Sequence, residues 1–300
     1  MDNDIKIREM QALVSLVDDP DLEVFRQVSE KIHDFGPDAI PYLQKAWDNC
    51  FDPLVQNRIE TLMHQINLDN VILELSRAFD NDCKDLFAAW VSLTRFQYPG
   101  LNEEDIQYEL NQIRKDIWLE LNENLTALEQ VKVFNHVFFD IHGFAGNIDN
   151  YHSADNSFIN KVLHGRKGNP LSLSVIYLLV AQSLDLPVFG VNLPEHFVLA
   201  YTGKAFDTET MRMEDNKVLF YINPFSRGMV FSAQEVEKFI LQLKLEPNPG
   251  YYEPCSNCDI LLRMANNLVN AYETDGAREK QREMEHIRAV LRKKLKRDTE

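Results

Sequence analysis

The chain has 300 residues, of which 45% are hydrophobic and 26% are charged, so it can bury a sizeable core and is not intrinsically disordered. Its formal net charge of −16 repels phosphate backbones and argues against nucleic-acid binding. Gly (11) and Pro (12) are too sparse for an all-β or low-complexity protein.

The N-terminal sequence and the cysteine content bear on location. Residues 1–9 are charged and lead into no apolar segment, so no signal peptide is expected. The most apolar stretch, 171–193, contains Asp185 and other polar residues, which argues against a transmembrane helix. Four cysteines are too few for a disulfide scaffold and favour a reducing compartment. We therefore expect a cytoplasmic protein.

The first 100 residues are predicted to form a helical block. Apolar residues recur at helical spacing over 24–35, 40–47 and 54–66. Superposing the stripe around Val28 on the stripe around Leu62 gives a repeat of 34 residues. Helix pairs that begin after an Asp-Pro turn resemble HEAT-type solenoid repeats. An ordinary helical bundle explains the same pattern.

Helical stripes continue to residue 141, and the chain then changes character. A polar loop at 143–156 leads into short helices and then into strands. The helices are predicted at 157–164, 171–184, 232–243 and 258–296, and the strands at 188–191, 196–201 and 218–222. This order predicts an α+β core with a small antiparallel sheet.

The expected fold is therefore mainly α, in three parts. A helical, HEAT-like block covers 1–100, the α+β core covers 101–250, and a C-terminal helical tail covers 251–300.

Four short motifs follow one another in the central part of the chain. They are GFAGN at 143–147, RKGNP at 166–170, LPEHF at 193–197 and NPFSRG at 223–228. Their order resembles that of the SirB1-type transglutaminase-like proteins over most of 126–240. The resemblance implies a papain- or transglutaminase-like core between helical repeats, the last of them tetratricopeptide-like.

The resemblance also implies where catalytic residues would lie. In transglutaminase-like sites a Cys at a helix N-terminus attacks, a His takes its proton and an Asp or Asn orients the ring. His196 and Asn223 match the second and third positions. When Gly168 is aligned with the family's Gly-x-Cys glycine, Pro170 falls on the cysteine, and no cysteine lies within 84–254. The sequence therefore predicts a core without a thiol nucleophile.

The nearest hydroxyls, on Ser172 and Ser174, leave two interpretations open. Ser172 paired with His196 would give an amide hydrolase or an acyl transferase. A serine at a helix start also caps or solvates that helix, which needs no catalysis. His196 is correspondingly either a hydrogen-bonded core residue or a side chain that grips a ligand or peptide.

Five residues are predicted to contribute to binding: Tyr151, Asn156, Arg166, Asn169 and Pro170. Arg166 is expected to pair with an acidic side chain, although helix–loop architecture also accounts for these residues. We predict a non-catalytic pseudoenzyme that binds a protein or peptide partner. A purely structural scaffold without an open cleft is a further alternative.

No cofactor and no metal are expected. The sequence contains neither GxxxxGK[ST] nor GxGxxG, which nucleotide and dinucleotide sites require. Cys255 and Cys258 form a CxxC before a predicted helix, a position that favours a thiolate. Without a second CxxC or a His pair they supply half a zinc site, so a pair of reduced thiols is expected.

The C-terminal helix differs in charge from the rest of the chain. Residues 278–300 contain 9 basic and 5 acidic residues, whereas 1–277 contain 22 basic and 42 acidic residues. Basic amphipathic helices can bind anionic membranes or acidic partners. Because the body of this chain is itself acidic, we expect the helix to dock on it, and we expect no membrane binding.

Overall fold

The computed structural model describes residues 2–207, 212–246 and 248–297. The chain is mainly helical, with small sheets in an α+β core. It divides into two compact units, one made of Met1–Leu75 with Arg95–Pro99 and the other of Ser76–Thr94 with Gly100–Glu300.

The first unit is built from amphipathic helices. They are α1 (Asp2–Val14), α2 (Leu22–Asp34), α3 (Ile40–Asp48) and the part of α4 (Pro53–Asp80) up to residue 75. Their apolar stripes form one core that includes Ile32, Leu43 and Leu62. α4 is one uninterrupted helix of 28 residues where the 34-residue repeat would place a helix pair. The relation to HEAT-type repeats therefore stays a prediction.

The remaining helices follow along the chain. They are α5 (Leu86–Arg95), α6 (Glu103–Glu120), α7 (Ala127–Asn135), α8 (Ile159–Gly165), α9 (Pro170–Gln182), α10 (Ala233–Gln242), α11 (Asn257–Thr274) and α12 (Arg278–Arg297). After α7 the chain continues as a π-helical turn, His136–Ile141, and leaves the helix at Gly143, whose φ of +74° suits glycine. α9 lies at the centre of the second unit, with buried residues along its whole length.

Four strands form the predicted antiparallel sheet, in the order β3–β4–β5–β6. They are β3 (Val188–Val191), β4 (Val198–Asp207), β5 (Arg212–Asn223) and β6 (Met229–Phe231). Two-residue strands β1 (Ala145–Gly146) and β2 (Lys167–Gly168) pair in parallel and form a separate sheet. The predicted strands overlap β3, β4 and β5, whereas β1, β2 and β6 were not predicted, because two or three residues carry too little periodicity.

The basic helix α12 packs along α11 and also contacts α4. Lys294 Nζ lies 2.5 Å from Asp80 Oδ1, and Arg292 Nη2 donates to Asn266 Oδ1 over 3.2 Å. The expected docking of this helix on the body thus includes one ion pair. The side chains of residues 296 and 297, and residues 298–300, which contribute to the predicted charge, lie outside the described part.

Candidate functional site

His196 and Asn223 lie at the same end of the sheet. Leu199 pairs with Ile222 in the β4–β5 ladder, so the turn before β4 meets the last residue of β5. Asn223 Nδ2 lies 3.0 Å from His196 Nε2. The structure thus joins the two residues that the sequence placed in the His and Asn positions.

The direction of this hydrogen bond follows from the neighbours of Asn223. The backbone N–H of Ser226 donates to Asn223 Oδ1 over 3.2 Å, so the amide oxygen faces Ser226 and the amide nitrogen faces His196. His196 Nε2 is therefore the acceptor, and the proton of the neutral ring is assigned to Nδ1. Burial, and then the positive charge of Arg263, lowers the pKa of His196, which keeps the ring neutral at pH 7.

Pro170 is the first residue of α9, and Asn169 is its N-cap. A capping box closes this end of the helix: Ser172 N–H donates to Asn169 Oδ1 over 2.9 Å, and Asn169 N–H donates to Ser172 Oγ over 3.0 Å. Ser172 is only 1% exposed, and its hydroxyl bonds are all with Asn169. The structure therefore gives Ser172 a capping role and brings it into no hydrogen bond with His196.

Two glycines let the sequence motifs pack together at this helix start. A Cβ on Gly168 would lie 2.5 Å from Ser172 Oγ, so the capping box requires glycine there. A Cβ on Gly146 would lie 2.6 Å from the ring of Phe225, in the NPFSRG segment. The pairing of β1 with β2 joins the GFAGN and RKGNP segments. Three motifs far apart in sequence therefore form one packed substructure around the start of α9.

The polar loop before α8 is organised by Asn156, which is 2% exposed. Its Nδ2 donates to the carbonyls of Asn150 (2.7 Å) and Tyr151 (3.0 Å), and its Oδ1 accepts from Asn147 Nδ2 (2.8 Å). The amide of Asn169 is used similarly, since its Nδ2 donates to Ser157 Oγ over 3.1 Å. The side-chain amides of Asn156 and Asn169, both predicted to bind a ligand, thus form hydrogen bonds within the protein and hold the loop in place.

Arg166 forms the acidic pairing that was expected of it. Its Nη2 lies 2.6 Å from Glu109 Oε2, and its guanidinium lies 5.0 Å from the centroid of the Phe144 ring. The residue follows α8 in a left-handed conformation with φ of +53°. These contacts tie α8 to α6 and leave Arg166 outside the cavity described next.

A cavity of about 250 Å³ opens between the start of α9 and one face of α11. We call it the α9–α11 cavity. The predicted residues that line it are Tyr151, Asn169, Pro170 and His196. A second, more apolar cavity of about 240 Å³ adjoins His196 and Asn223 and is lined by Phe231 and Phe239.

The polar lining residues on α11 were missed by the sequence analysis. Arg263, Asn267 and Asn270 recur at helical spacing and project from one face of α11 into the α9–α11 cavity. The available signal was that Arg263 is the single basic residue of α11. It was missed because residues 251–300 were assigned to a separate tail.

Arg263 is partly buried and hydrogen-bonded to neutral acceptors. Its Nη1 donates to the carbonyl of Leu193 over 2.7 Å and to the side-chain oxygen of Asn192. Burial lowers the pKa of the guanidinium, and the groups that act against this are Cys255 and Tyr151 rather than a carboxylate. Within the described residues, no Asp or Glu forms an ion pair with it.

The CxxC differs from its expected chemistry. α11 begins at Asn257 with Ser256 as its N-cap, so Cys255 precedes the helix and Cys258 is buried within its first turn. Both are free thiols. Burial raises the pKa of Cys255 to about 12, with Asp259 adding to the effect. Burial therefore opposes the thiolate that this position was expected to favour.

The described ranges contain neither a membrane-spanning helix nor a group of metal ligands. In residues 2–207, 212–246 and 248–297, no helix is long and apolar enough to cross a membrane. In the same ranges, no three His, Cys, Asp or Glu side chains are grouped as metal ligands.

The protein thus has an α+β core with a His–Asn pair at the end of its antiparallel sheet. His196 of this pair lines the same cavity as Pro170 at the start of α9. The sequence profile of the transglutaminase-like superfamily matches residues 104–266. The chain therefore belongs to the transglutaminase-like superfamily.

Relatives of two kinds match part of this chain. A UPF0162 protein of Xylella fastidiosa is 26% identical over 205 residues, which are 64% of this chain and 66% of that protein. F-box only protein 21 of Homo sapiens is 32% identical over 142 residues, which are 47% of this chain and 22% of that protein. The matched segment thus spans less than two thirds of either relative. No solved structure matches.

Proposed function

We propose that this protein is a non-catalytic member of the superfamily, of SirB1 type, which binds a protein or peptide partner in the cytoplasm. One observation carries the proposal: Pro170 occupies the first position of α9, beside the cavity that His196 lines. Covalent acyl transfer needs a nucleophilic atom at such a position, and proline has none.

The state of His196 supports the same conclusion. A general base needs a free lone pair directed at the group it deprotonates. In His196 that lone pair, on Nε2, accepts the hydrogen bond from Asn223. The remaining ring nitrogen carries a proton, so the residue is suited to donating a hydrogen bond to a ligand.

The alternative is an amide hydrolase or acyl transferase that uses Ser172, His196 and Asn223. It would require Ser172 Oγ to leave the capping box and the first turn of α9 to rearrange, because the residue is buried and bonded to Asn169. Loss of a helix cap costs about 1 kcal/mol.

The binding role is supported by the donors that line the cavity and by the distribution of the core among relatives. The 142 residues shared with F-box only protein 21 make up 22% of that protein. A core that recurs within a much longer protein is consistent with an independent binding module. We propose further that the flanking helices are HEAT-like and tetratricopeptide-like repeats, which present extended surfaces to partners.

The first test asks whether a serine of the chain can be covalently labelled. Incubation of the full chain with a fluorophosphonate should give no labelled protein by intact-mass spectrometry. Stoichiometric labelling at Ser172 would overturn the non-catalytic proposal and favour the hydrolase.

The second test concerns binding. A library of octapeptides is passed over the immobilised full chain, over Asn270→Trp, which obstructs the cavity mouth, and over Glu273→Trp, a control at an exposed site on the same helix. We expect retention by the natural chain and the control and loss in Asn270→Trp. If no peptide is retained, the peptide-binding proposal fails, and equal retention by all three places binding outside the cavity.

A further inference from the structure

We propose that the α9–α11 cavity binds a carboxylate group, which Arg263 receives through its guanidinium. The inference rests on the proposed function, since the carboxylate would belong to the bound peptide. The carboxylate is either the C-terminal carboxylate of the peptide or the side chain of an Asp or Glu, and both present the same two oxygens.

The first argument is the charge of Arg263. The guanidinium is partly withdrawn from water, yet its acceptors, Leu193 O and the side chain of Asn192, are neutral. Two other arginines of this unit have carboxylate partners, since Arg166 pairs with Glu109 and Arg227 pairs with Asp140. A desolvated cation without an anion is unfavourable, and a ligand carboxylate in the cavity would offset that cost.

The second argument is the orientation of the guanidinium. Nη1 is fixed by its two bonds, and the group lies 5.8 Å from the centroid of the Phe197 ring. Nε and Nη2 make no hydrogen bond within the described part of the chain. These two donors form the side of the fork that matches the two oxygens of a carboxylate. The unused donors are therefore pre-oriented on a residue that lines the cavity.

The third argument is the set of groups around Arg263. His196, whose proton is assigned to Nδ1, lines this cavity together with the amide side chains of Asn267 and Asn270. Glu195 is the acidic lining residue; it is exposed and makes no ion pair with Arg263. Because the chain as a whole carries a charge of −16, a ligand with several carboxylates is repelled, and one carboxylate on an otherwise neutral or basic peptide is favoured.

The experiment uses three nearly isosteric probes with the full chain labelled with ¹⁵N. N-acetylglutamine carries a free α-carboxylate, N-acetylglutamate α-amide carries a side-chain carboxylate, and N-acetylglutamine amide carries neither. Binding is followed by NMR at the Arg263 Nε–H signal, identified by its absence in Arg263→Gln, and at the side-chain amides of Asn267 and Asn270. A ligand of this size should saturate these signals with a Kd of about 1 mM.

We expect at least one carboxylate probe to saturate the signals and the neutral probe to leave them unchanged. The probe that binds identifies the source of the carboxylate. Arg263→Gln should weaken binding at least about tenfold, as read from the amides of Asn267 and Asn270. Arg114→Gln, which removes the same charge at an arginine outside the cavity, should leave the affinity unchanged.

Two outcomes would overturn the inference: equal shifts with all three probes, or no saturable shift with any of them. Neither would decide the proposed function, because the octapeptide retention assay measures peptide binding independently. A further outcome is that octapeptides are retained through the cavity while the carboxylate and neutral probes give equal NMR shifts. That combination would support the binding module and reject the carboxylate site.

Discussion

The side-chain amide of Asn223 donates a hydrogen bond to Nε2 of His196 over 3.0 Å. The bond has this direction because Asn223 Oδ1 is occupied by the backbone N–H of Ser226. An asparagine that presents its nitrogen to the imidazole stabilises the tautomer protonated on Nδ1. Asn223 therefore holds the imidazole ring in place and also occupies the Nε2 lone pair that a general base would need.

Replacing this amide with a carboxylate should reverse the bond. In Asn223→Asp the side chain can only accept, so we expect the proton to move to Nε2 and the pKa of His196 to rise by about 1 unit or more. ¹⁵N chemical shifts of the imidazole distinguish the two tautomers, and a pH titration gives the pKa. Asn124→Asp adds the same charge at an exposed turn and should change neither quantity. An unchanged tautomer in Asn223→Asp would contradict the assigned direction.

The stability of the fold should depend on the protonation of His196. Burial lowers its pKa in the folded state below the ordinary value of 6.5, so the unfolded chain takes up the proton first as the pH falls. The free energy of unfolding is therefore expected to decrease as the pH falls through 6.5 towards the folded-state pKa. Urea unfolding at pH 7 and pH 5 measures this decrease. It should be smaller in His196→Gln, and an equal decrease in both proteins would assign the effect to other groups.

The close approach of Gly146 to Phe225 predicts a local steric effect. In Gly146→Ala the new methyl group would lie 2.6 Å from the ring, so Phe225 or the strand must move. We expect a loss of about 1–3 kcal/mol in the free energy of unfolding, measured by urea denaturation. Gly100→Ala, where nothing lies within 4 Å of the added atom, is the matched control and should be near neutral. Equal effects at both glycines would show that the packing around Phe225 yields without cost.

The sequence was informative where local motifs carry the geometry. Turn and capping signals predict Pro170 at a helix start, His196 at the start of one strand and Asn223 at the end of the next. The structure has the first and the third, and it places His196 in the turn before β4. Arg263 could not be found in this way. The periodicity of α11 shows which of its faces is apolar, but it does not show that the polar edge of that helix reaches residues about 70 positions earlier, Asn192 and Leu193. The raised pKa of Cys255 could not be found for the same reason, because its burial depends on tertiary packing.

Cys255 of the CxxC should react slowly in the folded protein. Because burial raises the pKa of Cys255 to about 12, its thiolate fraction at pH 8 is very small. Iodoacetamide at pH 8, followed by peptide mass spectrometry, should modify Cys255 at least about tenfold more slowly in the native chain than in urea. Rapid native alkylation of Cys255 would show that desolvation does not dominate at this thiol.

The environment of Pro170 predicts how a thiol would behave at the start of α9. In Pro170→Cys the sulfur would lie at a helix N-terminus and beside the cavity that contains Arg263, and both features favour a thiolate. Burial acts in the opposite direction, since Pro170 is a buried residue that borders the cavity. We expect a thiol pKa about 1 unit below the ordinary 8.5, read from the pH dependence of alkylation rather than from its absolute rate.

The control is Pro53→Cys, at the first position of α4, which supplies a helix N-terminus without Arg263. A pKa no lower at position 170 than at position 53 would mean that Arg263 contributes little to the field in the cavity. Even with the thiol present, we expect no amide hydrolysis, since Asn223 still occupies the lone pair of His196.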